Sequence, residues 1–149
     1  MTIKSTYTLA EAAKITGLRE KMIDYLCRTQ IVIPNGSKHK GKGRGRIRRF
    51  TFADLLLLQT LKRLLAQGIS VARLKDSLKG LRGQLTNVKY EDDLIARFII
   101  TDGKHAYFRD DTSLISLTEI EGQYVFRFVV DMEMTRKEVI LEIEKLKVI

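Results

Sequence analysis

A capped helix, a glycine turn and a second short helix follow one another over residues 8–28, and this succession constrains the fold most. Thr8-Leu9-Ala10-Glu11 has the form of a capping box, in which the Thr8 hydroxyl accepts from an early helical N–H and Glu11 reaches back to the Thr8 amide. A helix follows to about residue 14, with Leu9, Ala12 and Ala13 on its buried side. Gly17 supplies the turn and Leu18 re-enters the core. A second helix is predicted over residues 19–28, with Met22, Ile23 and Leu26 at helical spacing. Two short helices so close together, with glycine between them, have the outline of a helix-turn-helix.

Beyond this pair, residues 31–33 form a short β-branched run that ends at the turn signal Pro34-Asn35-Gly36. Thr51 is a predicted N-cap, with Asp54 in the first turn of a helix over residues 52–67. That helix carries Leu55, Leu58, Leu61, Leu64 and Leu65, and Gly68 fits its stop. Ser70 caps a further helix through Val71, Leu74 and Leu78, which Gly80 ends. After Gly83 the pattern changes. Residues 94–100, then Asp102-Gly103, then residues 106–109 read as a β-hairpin with a two-residue turn. Residues 114–117 and 124–130 read as two more strands. Thr135-Arg136-Lys137-Glu138 reads as a second capping box, opening a last helix with Val139, Ile140, Ile143 and Leu146 on one side. The expected fold class is α+β: a helical N-terminal unit with a helix-turn-helix over residues 1–82, followed by a small antiparallel sheet with a C-terminal helix over residues 90–149.

Charge divides the chain at the same place. Residues 1–82 hold 18 basic and 5 acidic side chains, whereas residues 83–149 hold 9 basic and 13 acidic ones. Solubility needs no such asymmetry; it fits a first half that meets a polyanion. The basic excess concentrates in residues 37–50, which hold seven Lys or Arg and no acid. Lys38, Lys40, Lys42, Arg44, Arg46 and Arg48 fall at every second position, with Arg49 beside the last. In extended chain, side chains two apart share a face, so six cations would point one way. Gly41, Gly43 and Gly45 would admit a close backbone. A phosphate backbone could neutralise such a row; a mobile, solvated loop is the blander alternative. On the second helix, Arg19, Glu20, Lys21, Asp24 and Arg28 lie opposite the apolar side. Arg19 and Lys21 could meet guanine or phosphate, Tyr25 could donate to phosphate, and Arg28 would read or position.

Residues 7–18, Tyr-Thr-Leu-Ala-Glu-Ala-Ala-Lys-Ile-Thr-Gly-Leu, resemble the opening helix and turn of the MerR family of transcription regulators. Arg48-Arg49-Phe50-Thr51-Phe52-Ala53-Asp54-Leu55 is similar to that family's wing end, and Leu61 through Gly68-Ile69-Ser70 to Leu74 resembles its long-helix, short-helix ending. The resemblance spans about residues 7–78. It implies a winged helix-turn-helix with the second helix in the major groove, the wing on flanking phosphates, and Arg48 as a phosphate contact. Three departures stand out. The family's Arg and two aromatics are replaced by Asp24-Tyr25-Leu26, where a carboxylate would face a base or pair with Arg28. The wing is longer and more basic. The long dimerising helix after Leu78 gives way to Gly80, Gly83 and a strand pattern.

The remaining chemistry is sparse. Cys27, His39 and His105 include no pair at metal-ligand spacing, so neither metal nor cofactor is expected, and Cys27 reads as a small buried thiol rather than a redox switch. Asp92-Asp93 and Asp110-Asp111 read as turn residues, and no glycine-rich phosphate loop follows a strand. No apolar run approaches the ~20 residues of a membrane span, and no apolar leader opens the sequence. The expectation is a non-enzymatic, cytoplasmic regulator that binds double-stranded DNA sequence-specifically as a homodimer, without membrane contact. The C-terminal half would supply dimer contacts or bind a protein partner. An antitoxin-like interaction protein that autoregulates, and a non-specific architectural or RNA-binding protein, are the alternatives.

Overall fold

A computed structural model of the chain describes residues 5–34, 36, 48–70, 75, 98–101, 106–109 and 128–147. Helix α1 spans Leu9–Thr16 and opens on the expected capping box. The Glu11 N–H donates to Thr8 Oγ1 at 3.1 Å, and the Thr8 N–H donates to Glu11 Oε1 at 2.9 Å. Gly17 ends it at φ 77°, in the left-handed region, so that its N–H reaches Ala13 O. Helix α2 spans Glu20–Arg28 and buries Ile23 and Leu26.

The run at residues 31–33 is not a strand. The Ile31 and Val32 N–H groups both donate to Leu26 O at 3.0 Å, so they finish α2 and have none left for a ladder. Gln30, at φ 63°, turns the chain back and buries both side chains. A single antiparallel bridge then joins the segments entering α1 and α3: the Tyr7 N–H donates to Phe50 O at 2.7 Å and the Phe50 N–H to Tyr7 O at 2.9 Å.

Helix α3 spans Phe52–Ala66 and has the reciprocal Thr51–Asp54 capping box. Every residue from 52 to 61 is buried. A helix covered all round lies at the centre of its domain, and α3 meets α1, the last strand and the last helix. The helix expected from Ser70 lies, beyond Ser70 and Lys75, outside the described residues.

Three strands of four residues pair antiparallel in the order β2-β1-β3: β1 at Phe98–Thr101, β2 at Ala106–Arg109 and β3 at Phe128–Asp131. The register places Thr101 opposite Ala106, as a hairpin requires, and the turn expected at Asp102-Gly103 lies outside the described residues. The strand expected at 114–117 lies outside the described residues. Helix α4, Met132–Lys147, follows β3 directly. Its start also differs from expectation. Asp131 Oδ1 accepts from the Glu133 and Met134 N–H groups at 3.0 and 3.2 Å and does the capping. Thr135 is buried, bonding back to Asp131 O at 2.9 Å, and Glu138 turns to α3.

The α+β expectation needs correction. The described architecture is helical, with four helices of 8, 9, 15 and 16 residues. Their apolar faces and flanking turns make one core, in which Met132, Val139 and Ile143 of α4 join Tyr7, Ile15, Leu26, Phe50 and Leu58. The reason is packing. The core residues lie on the helices and the turns that flank them, and α4 covers α1 and α3 with an apolar stripe.

Candidate nucleic-acid interface

Helix α2 lies on the outside of this core, joined to α1 through the Gly17 turn. The Thr16 hydroxyl tightens the turn, donating to Ala12 O at 2.8 Å and accepting from the Leu18 N–H at 3.2 Å. With Ile23 and Leu26 fixed inward, helical geometry sends residues 21, 25 and 28 outward along one side. Lys21, Tyr25 and Arg28 are all exposed there, and Arg19 is exposed at the N-cap position. Lys21, Tyr25 and Arg28 thus share one exposed side of α2, with Arg19 exposed at its start.

Arg48 and Arg49, where the basic run ends, are anchored rather than free. Arg49 donates to Thr6 Oγ1 through Nε at 3.1 Å and Nη2 at 2.8 Å. Arg48 reaches across 24 residues of sequence to donate from Nη1 to Asp24 Oδ1. The other oxygen of that carboxylate accepts from Arg28 Nε at 2.7 Å. Asp24 therefore ties the foot of the basic run to α2. The Arg48 hydrogen bond, assisted by Arg28, holds the Asp24 carboxyl below the usual aspartate range. It is an anion at any physiological pH. The i, i+4 spacing foretold the Arg28 contact; the Arg48 contact had no local signal. Lys38, Lys40, Lys42, Arg44 and Arg46 lie outside the described residues.

Cys27 is half-buried on the same helix, and desolvation pushes its thiol up to about 11. A thiol so raised is a poor nucleophile and a poor metal ligand at neutral pH. Among the described residues no three His, Cys, Asp or Glu side chains are grouped to hold a metal ion. No helix among them is long and apolar enough to cross a membrane.

Residues 7–81 match the family model described as MerR HTH family regulatory protein. The chain belongs to the MerR family. Over 130 residues it is 31% identical to uncharacterized HTH-type transcriptional regulators of Mycobacterium bovis and Mycobacterium tuberculosis, covering 86% of this chain. Those alignments cover 54% of the relatives, so the chain spans about half their length. Within the MerR match lie α1, the turn, α2 and α3, the elements that carry and position the exposed cations.

Proposed function

We propose that this MerR-family chain is a transcriptional regulator that binds double-stranded DNA sequence-specifically as a homodimer. Helix α2 enters the major groove, where Arg19, Lys21, Tyr25 and Arg28 read bases or position the helix on phosphates. The run from Lys38 to Arg49 acts as the wing and holds the flanking backbone, with Lys38, Lys40, Lys42, Arg44, Arg46 and Arg48 as its cations. Residues 1–82 are the reading unit; residues 90–149 supply the dimer contact or a partner surface, with α4 docked back on the reading unit.

The observation that carries this reading is the exposed Lys21, Tyr25 and Arg28 face of α2, joined through Asp24 to the foot of an acid-free basic run. Selection of bound duplexes from a random pool at physiological salt tests it. The expected result is a consensus of two spaced half-sites; recovery of random sequences would refute sequence specificity. Replacing Lys42, Arg44 and Arg46 with Ala should weaken binding to all duplexes alike and flatten the salt dependence by up to about 3 in log–log slope. An unchanged slope would remove the wing from the interface.

A further inference from the structure

The proposed DNA-facing surface of α2 contains one carboxylate that is fully engaged by its own chain. Asp24 offers one oxygen to Arg48 and the other to Arg28, so a single anion is shared between two guanidinium groups. Neither arginine is hidden: the Arg28 side chain is 63% exposed and that of Arg48 is 32% exposed. The three side chains form a surface cluster of one net positive charge where two would otherwise face solvent.

Two consequences follow from that placement. A guanidinium held by a carboxylate is oriented, because its fork is fixed in plane and direction. It is also a weaker partner for a phosphate at an arbitrary position, since capturing one means losing or sharing an existing ion pair. An unrestrained arginine pays no such penalty and binds any backbone it meets, which raises affinity for every sequence equally. Resting on the DNA-binding reading above, we propose that Asp24 is a specificity-determining positioning residue: it withholds Arg28 and Arg48 from indiscriminate phosphate binding and presents them in one geometry.

The test compares wild type with Asp24→Asn on the duplex selected above and on a random-sequence duplex, by fluorescence anisotropy over a salt series. Asp24→Asn removes the charge and keeps the shape. Affinity for the random duplex should rise about three- to tenfold, with a salt slope steeper by about 1. The selected duplex should gain less, so the ratio of the two affinities falls. Asp24→Glu, which keeps the charge, should retain a salt slope close to that of wild type. In an Arg48→Ala background the effect of Asp24→Asn should shrink.

An unchanged slope in Asp24→Asn, or a parallel loss of affinity on both duplexes, would overturn the proposal and leave Asp24 a brace between α2 and the wing foot. Asp24→Glu behaving as Asp24→Asn would overturn the role of charge, and an undiminished effect without Arg48 would overturn the link to Arg48. Wild type binding neither duplex at low salt would overturn the DNA-binding reading together with this one, whereas wild-type binding with an unaltered Asp24→Asn slope refutes this one alone. Melting curves confirm that each variant is folded, and a slope change at constant melting temperature is not something a bracing role would produce.

Discussion

Gly17 and Cys27 illustrate how single positions bear on α2. At φ 77°, Gly17 is in the left-handed region, and an added Cβ would lie 2.4 Å from Lys62 Nζ. That lysine end can swing away, so backbone strain dominates, and Gly17→Ala should cost about 1 kcal/mol in chemical denaturation. A stability unchanged within error would show that the turn relaxes freely. Cys27 gives a pH prediction. Its thiol is raised from 9.0 to about 11, so folding favours the neutral form. The associated stability is fully present below the unfolded value and is lost as pH rises toward the folded one. The melting temperature of wild type should therefore fall relative to Cys27→Ala between pH 9 and 11, and iodoacetamide should label native Cys27 far more slowly than the denatured chain at pH 8. Equal labelling rates would contradict the burial.

The helix starts separate what short sequence patterns can settle from what they cannot. At α1 and α3, both partners of each capping box lie within four residues, and both boxes form. Thr51→Ala should cost about 1 kcal/mol in global unfolding, because the Asp54 N–H loses its acceptor at the head of the central helix. At α4 the same pattern misleads. Glu138 accepts from Gln59 Nε2 at 2.9 Å and from Arg63 Nη2, two residues far away in sequence, and a tertiary ion pair wins over a local cap. Asp131→Ala is therefore the substitution that should fray the start of α4, visible as faster amide exchange at Glu133 and Met134. Faster exchange in Thr135→Ala alone would restore the local box.

At the scale of the molecule, the helix-turn-helix, α3 and the last helix share one core among the described residues. Val139 and Ile143 are 0% and 1% exposed, packed with residues of α1 and α3. Ile143→Ala should destabilise the helix-turn-helix itself by about 2–4 kcal/mol, through lost burial and the cavity left behind. Denaturant unfolding followed at α3 amides checks this. Protection there that is indifferent to the substitution would mean that α4 merely rests on the surface. For the same reason a fragment ending at residue 82 should unfold at lower denaturant than the full chain, since the side of α3 that α4 covers would meet water.

The α1–Gly17–α2 pair, the centre and cap of α3 and the exposed face of α2 were legible in the amino-acid order because each depends on contacts within one turn or one helical period. Leu9 to Leu26 and Leu55 to Leu64 repeat at helical spacing, and Thr8, Thr51 and Gly17 mark the ends. The fate of residues 31–33, the start of α4, the helical character of the core and the Arg48–Asp24 bridge were not legible. Each is a choice between partners far apart in the chain: Ile31 and Val32 close α2 instead of pairing as a strand, Glu138 leaves its own helix for Arg63, and Asp24 holds a second arginine 24 residues away. Local periodicity says which face of an element is buried; only three-dimensional packing says against what.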